Sequence, residues 1–402
     1  MASSSKRRQV PSSRPSRLWA KLVAQADDKA ATDTLLPVDL TADDFASLEE
    51  STQEKGRAQL RQGSAGRGKR APPALPEGEN DTAGLTEFNR RYRVHGQIDD
   101  GGMARVLLAR QHSLARDVAV KVLQKGGSTT AKLLFRAEAL VTAYLEHPNI
   151  VPVYDAADNC LVLRWVRGSS LSQMIPRKPE QHDKLPKLIE IILRASDGIA
   201  FAHSRGIIHR DIKADNIMVG EFGEVLVVDW GLALAIAAGP DGEWHAPRLD
   251  HCPNVCAGTP GCVPPEIARG DRDDVGVHTD LHMLGSLLYH VIAGRMPFDH
   301  RDKLEALIMA AGNQYRPLGE VAPTASRRLI DACHKAMSFL PEERGTLGEF
   351  TAELRTFLGR EVARVSPETE VFPSLSVDEG ARSSRTEAVT LAKRMLRRLR
   401  GE

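Results

Sequence analysis

One short segment carries residue types at offsets that suit phosphoryl transfer. His209-Arg210-Asp211-Ile212-Lys213-Ala214-Asp215-Asn216 sets a cation two residues after a carboxylate and a carboxamide five residues after it. Thirteen residues past Asn216 a second carboxylate opens Asp229-Trp230-Gly231. A carboxylate can accept or orient the proton of an attacking hydroxyl, and a cation can offset charge on the group in flight. A carboxamide oxygen and a further carboxylate can hold Mg²⁺ against phosphates. A single Asp in a loop is most often a turn or cap residue. Two linked segments with fixed internal spacing are not explained that way.

The elements that must position these groups are legible around them. Val118, Val120 and Val122 alternate with other residues and predict a strand, and the apolar runs 161–166 and 225–228 predict two more. Residues 128–146 have helical spacing, with Leu133, Leu134, Ala137, Leu140, Val141 and Tyr144 expected along one side. A longer helix rich in Leu, Ile and Ala is expected over 185–204, directly before the catalytic-type segment, and another over 281–293. Strands come early and helices late, which predicts a small sheet-containing lobe before a larger helical one.

From the two motifs onward the chain resembles the eukaryotic-like serine/threonine protein kinases of bacteria. The first fits H-R-D-x-K-x-x-N, and the second stands in the D-F-G place with Trp230 for Phe. Val118-Ala119-Val120-Lys121 resembles the V-A-I-K strand, Phe135-Arg136-Ala137-Glu138 the helix that supplies its Glu, and His147-Pro148-Asn149-Ile150-Val151 the exit from that helix. Gly258-Thr259-Pro260 and Pro264-Pro265-Glu266 resemble G-T-P and A-P-E, and Arg344 stands where the family salt-bridges that Glu.

The resemblance implies an α+β, two-lobed protein-kinase fold. A small β-rich N-lobe would cover 88–166 and a larger helical C-lobe 167–360. A disordered charged arm would precede them over 1–87, and a linker with a basic amphipathic helix would follow over 361–402. It implies ATP and Mg²⁺, with Mn²⁺ as a substitute. Asp211 would orient the nucleophile and Lys213 stabilise the transferred group, while Asn216 and Asp229 would hold the metal. Lys121, supported by Glu138, would position the phosphates. Ile98, Gly101, Gly102, Val106, Ala119, Leu163, Val166 and Met218 would surround the nucleotide. Lys213 is the mark of the Ser/Thr branch, so the implied reaction is transfer of the γ-phosphoryl group to protein Ser or Thr hydroxyls. A pseudokinase scaffold with docking tails and a small-molecule phosphotransferase are the alternatives.

The phosphate loop departs from the family pattern. It reads Asp99-Asp100-Gly101-Gly102-Met103-Ala104-Arg105-Val106, with Asp99 and Ala104 in two glycine positions. Glycines there let backbone N–H groups approach phosphates, and acids should repel a polyanion, so weakened ATP affinity is expected. The segment 229–266 departs as well. Its 38 residues hold one hydroxyl-bearing side chain, Thr259. The phosphate that Arg210 would ordinarily bind has no acceptor upstream of it, and Asp241, Glu243 or Asp250 is expected to serve instead, making activity independent of phosphorylation. His245, His251, Cys252, Cys256 and Cys262 in the same segment are read as a zinc or redox site or as unpaired loop residues, although the spacing fits no strong zinc template.

Composition narrows the class further. No stretch of the 402 residues approaches the ~20 apolar residues of a membrane helix, and five scattered cysteines argue against a secreted disulfide framework. A cytoplasmic protein is expected. The net charge of +1 hides blocks. Residues 1–26 hold six basic side chains and no acid, 31–54 seven acids and no Lys or Arg, and 55–70 six basic ones. Residues 381–402 carry seven basic and two acidic side chains, with apolar residues of 386–400 at helical spacing. Besides protein substrates, the expected partners are an acidic protein or anionic surface for that helix, or docking of the tails on the chain itself.

Overall fold

A computed structural model describes residues 88, 90–100, 104–124, 129–157, 159–176, 184–242, 244–252 and 255–365. The arm 1–87, Gly101, Gly102, Glu243 and the basic stretch 386–400 lie outside the described residues. One compact unit ends at Gly359, and residues 360–365 of a second unit complete the last helix.

Five antiparallel strands open the fold: β1 (Tyr92–Asp100), β2 (Ala104–Gln111), β3 (Arg116–Leu123), β4 (Val153–Ala157) and β5 (Cys160–Arg164). Their spatial order is β1-β2-β3-β5-β4. The two-residue period of β3 sends Val118, Val120 and Val122 into one core with Tyr92, Leu107 and Ala109. Each valine so buried contributes about 1.5–3 kcal/mol. The same period turns Ala119, Lys121 and Leu123 to the other face, where Leu123 and Leu161 pack on Phe135. Strand β5 stops at Arg164, two residues before the expected end, and Val166 follows as buried non-strand chain.

Helix α1 (Thr129–Tyr144) crosses that face. Its buried positions are Ala131, Phe135, Glu138, Val141 and Thr142, whereas Leu140 is 61% exposed. This corrects the stripe expected from hydrophobicity alone. Glu138 must face β3 to meet Lys121, and that rotation carries Leu140 outward.

The second lobe begins with β6 (Gly168–Ser170) and α2 (Leu171–Met174), followed by α3 (Leu185–Ser204) and β7 (Ile207–Ile208). Next come β8 (Ile217–Gly220), β9 (Val225–Val227) and β10 (Leu234–Ala235). Strands β6, β8 and β9 form one small sheet and β7 pairs with β10. Helices α4 (Pro265–Arg269), α5 (Val277–Ala293), α6 (Lys303–Ala311), α7 (Leu318–Val321), α8 (Arg327–Ala336) and α9 (Leu347–Val365) complete it. Helix α5 is buried almost all round, the mark of a helix at the centre of a core. It packs against α3 and α8, and one hydrophobic cluster runs from these helices to Trp230 and to Val141 and Leu145 at the end of α1. Among the described residues, no helix is long and apolar enough to cross a membrane.

Candidate active site between the lobes

The segment 209–216 leaves β7 and reaches β8 through a single 3₁₀ turn, Ala214–Asn216. Its conformation is enforced from the core. Asp280, fully buried in the first turn of α5, accepts from the backbone N–H of His209 and of Arg210, both at 2.8 Å. Burial works against the Asp280 charge, but the hydrogen bond and charge of His203 outweigh it and hold the carboxyl below its ordinary value. These two bonds support a left-handed backbone at Arg210, φ 70°, which a side-chain-bearing residue adopts only at a cost of roughly 1–3 kcal/mol. His209 Nδ1 accepts from the N–H of Asp211 at 3.1 Å and Nε2 lies 3.3 Å from the Val228 carbonyl, so both ring nitrogens are held by main chain.

Asp211 is thereby aimed at two donors. Thr259 Oγ1 donates to its Oδ1 at 2.8 Å, and Lys213 Nζ stands 2.9 Å from Oδ2 while donating to Thr259 Oγ1 at 2.7 Å. Burial works against the Lys213 charge, but Asp211 more than offsets it and the ammonium is held above its ordinary pKa. Asn216 donates through Nδ2 to the Asp211 carbonyl and carboxylate, which leaves its carboxamide oxygen as the ligand-type atom. Gly258, φ 133°, allows the chain to pass here, because a Cβ would lie 2.6 Å from Val263 and 3.2 Å from the Arg210 carbonyl.

On the other side of the cleft, Lys121 donates to Glu138 at 2.6 Å and to Asp229 at 2.9 Å. The Lys121 ammonium holds the Asp229 carboxyl down at about 2, so it is ionised throughout the neutral range. Burial pushes Glu138 up, with Lys121 pulling the other way. For Lys121 itself burial is outweighed by the carboxylates of Asp229 and Glu138, and its charged form is favoured. Asp229 is the second left-handed non-glycine of the site, φ 64°. Trp230 behind it is fully buried in the larger core and tilts against His209 with centroids 4.5 Å apart.

The structure places the remaining sequence-derived positions that it describes on the strands and chain beside Lys121 and Asn216 as follows. Val106 pairs in register with Lys121 and Ala119 with Leu163, so all four lie on adjacent strands. Ile98, on β1, is 49% exposed. Val166 is buried beyond β5, and Met218, on β8, is partly buried. The turn 101–103 between β1 and β2 lies outside the described residues.

The acid expected to neutralise Arg210 is not supplied by Asp241 or Asp250. Those carboxylates meet His245 and Arg248, and the buried Arg210 guanidinium instead donates to the carbonyls of Leu232 at 3.3 Å and Val255 at 2.5 Å. Burial brings the guanidinium within reach of main chain before any exposed acid, which corrects the expectation for these two residues. The five cysteines are free thiols. Burial pushes Cys256 up to about 11 and Cys262 up to about 12. Among the described residues, no group of three His, Cys, Asp or Glu side chains is arranged to hold a metal ion. Mg²⁺ is compatible with that, because it takes one or two protein oxygens and completes its shell with phosphate and water. Asn216, through its free carboxamide oxygen, and Asp229 are oxygen-bearing side chains of the kind such an ion takes.

Sequence reasoning placed Thr279-Asp280 only at the start of the central helix, through the family resemblance, and passed over the His203 behind it. A carboxylate in the first turn of an otherwise apolar helix was the available signal.

A two-lobed fold with a carboxylate, ammonium and hydroxyl cluster in the second lobe, and a lysine of the first bridging a carboxylate from each lobe, defines a class. The chain belongs to the protein kinase family, whose domain model, described as protein kinase domain, matches residues 92–354. Among curated proteins it is similar to serine/threonine-protein kinase PknB of Mycobacterium tuberculosis, 36% identical over 280 residues, covering 67% of this chain and 43% of that protein. It is likewise similar to PknB of Mycobacterium leprae, 36% identical over 222 residues, covering 52% of this chain and 33% of that one. Serine/threonine-protein kinase pkn2 of Myxococcus xanthus is 32% identical over 246 residues, with 59% and 28% covered. The chain thus spans less than half the length of these relatives.

Proposed function

We propose that this chain transfers the γ-phosphoryl group of ATP to Ser or Thr hydroxyls of proteins. The observation that carries the reading is the pair of ion contacts made by Lys121, to Glu138 on α1 and to Asp229 below the cleft. Lys121 and Glu138 are held largely out of solvent, whereas the Asp229 side chain keeps 45% of its surface open, the arrangement expected of groups that receive a charged ligand. Asp211 orients the incoming hydroxyl and takes up its proton, and Lys213 offsets charge on the group in transit. Lys121, kept in position by Glu138, holds the nucleotide phosphates. Mg²⁺, or Mn²⁺ in its place, neutralises the phosphate oxygens when bound, and Asn216 and Asp229 supply its protein ligands. The adenine would be received by Ile98, Val106, Ala119, Leu163, Val166 and Met218, and Gly101 and Gly102, outside the described residues, are the glycines proposed for the phosphates. Five free thiols support a reducing, cytoplasmic setting. The excess of basic over acidic residues in 381–402 supports docking on an acidic partner or anionic surface.

Purified chain incubated with γ-labelled ATP, Mg²⁺ and a generic protein substrate should yield labelled phosphoserine or phosphothreonine. Chelation should abolish transfer, and added Mg²⁺ should restore it. Absence of label under all conditions would favour the scaffold reading, and label on small molecules alone would favour the small-molecule phosphotransferase.

The acids near the phosphate loop make a second expectation. Asp99, exposed on β1 opposite Val106, stands in a family glycine position. A like charge about 4 Å from a phosphate would cost about 1 kcal/mol in a water-rich setting. Asp99→Gly should therefore lower KM for ATP by about fivefold with kcat little changed. An unaltered KM would remove Asp99 from the account of nucleotide affinity.

A further inference from the structure

The segment after Asp229 is tied down without any phosphate. Ile236 N–H donates to the Gly206 carbonyl at 2.8 Å, and Ala235 N–H to that of Pro247 at 2.8 Å, so residues 236–247 form a loop closed at its base. From that loop His245 stacks on Tyr144, with ring centroids 3.7 Å apart and planes 12° from parallel. Asp241 fixes the imidazole from the far side at 2.7 Å from Nε2. Tyr144 is the last residue of α1, six positions and about 9 Å along the axis from Glu138. The contact extends into the larger lobe. The Arg205 guanidinium lies 5.8 Å from the Tyr144 ring centroid and 5.1 Å from that of Phe201, on which His147 in turn stacks.

We propose that His245 is a positioning residue: its stacking on Tyr144 couples the segment 229–266 to α1 and so holds Glu138 against Lys121. This rests on the kinase reading above and deepens it by naming what stands in for a phosphorylated side chain. In phosphorylation-gated kinases a phosphate orders the segment through arginine contacts. Here Arg210 Nη1 and Nη2 already donate to main-chain carbonyls, with Nε buried and unpartnered, and Thr259, the one hydroxyl-bearing side chain of the segment, is engaged with Asp211 and Lys213. An aromatic contact between segment and helix does the ordering. The helix is rigid over one and a half turns, so anchoring its end constrains the rotation that aims Glu138.

The test uses the full chain and three variants: His245→Ala, His245→Phe, which keeps a ring but loses the Asp241 contact, and His245→Ala combined with Glu138→Gln. His245→Ala should raise amide hydrogen exchange at residues 138–144 and lower kcat by about three- to tenfold, the range of one aromatic pair. The melting temperature should fall by a few °C at most, since His245 is only partly buried at the margin of the core. His245→Phe should restore both exchange protection and kcat. In the Glu138→Gln background the alanine substitution should cause little further loss, because both act through the same contact. Unchanged exchange at 138–144, equal impairment by Ala and Phe, or full additivity with Glu138→Gln would each overturn the proposal. Exchange reads the coupling even if the chain transfers no phosphate, so failure of the kinase reading is seen separately in the wild-type assay.

Discussion

Asp211→Asn is expected to lower kcat by about 10²–10⁴-fold, the usual worth of a positioned general base. The substitution keeps the shape of the side chain and an oxygen to accept from Thr259, so the loop geometry held by Asp280 should survive. What it removes is the charge that attracts the hydroxyl proton and pairs with Lys213. KM for ATP should change little, because the groups proposed to position the nucleotide phosphates, Lys121 with Glu138 and Asp229, make their ion contacts without Asp211. Steady-state kinetics at saturating Mg²⁺, with melting temperatures measured alongside, separate the two effects. Activity within a few-fold of wild type would remove Asp211 from the role proposed for it.

The largest expected effect on stability lies away from the cleft. Arg344 and Glu266 form a bidentate ion pair at 2.7 Å on both arms, with side chains 0% and 1% exposed. Three carbonyls, those of Ser338, His278 and Phe339, take further guanidinium protons, and Thr279 donates to Glu266. A buried pair contributes little net stability against an apolar replacement, but removing one partner strands the other charge in low dielectric. Arg344→Met should therefore cost about 3–5 kcal/mol. At roughly 2–4 °C per kcal/mol for a domain of this size, the melting temperature should fall by about 6–20 °C. Adding Glu266→Gln should recover part of the loss, since the stranded charge is then gone. Arg344→Lys should not substitute well, because an ammonium cannot make the two-armed contact. A shift of less than about 2 °C for Arg344→Met would mean that the pair is dispensable to the fold. Because Glu266 ends the segment carrying Thr259, a looser segment should accompany the lower stability.

Much of the fold and of the site could be read from the chain because local chemistry repeats at fixed spacing. Asp211, Lys213 and Asn216 lie within six residues, so one turn of backbone brings them together and spacing alone identifies them. Val118, Val120 and Val122 declare a strand and also which face Lys121 occupies. The ion pair of Arg344 with Glu266 spans 78 residues and was legible only through the family resemblance. Periodicity was a poorer guide where a polar contact overrides it. Hydrophobicity put Leu140 on the inner stripe of α1, and the demand of Lys121 for Glu138 turned it out.

The side chains that enforce the site were largely invisible beforehand. Asp280 reads as a helix-start residue until the fold lays it under the backbone of His209 and Arg210. His245 reads as a loop histidine beside cysteines until the loop closes and sets it on Tyr144. Arg210 was assigned an acidic partner, yet burial gave it carbonyls. By itself the sequence determined the residue types, the local turns and strands, and hence the chemistry available. Only the tertiary structure decided which groups 46 to 108 residues apart meet, as Lys213 meets Thr259 and Lys121 meets Asp229. The reason is that a local spacing is set by backbone geometry, whereas a distant contact depends on how the whole core packs. Which donors then lie nearest a buried charge follows from that packing.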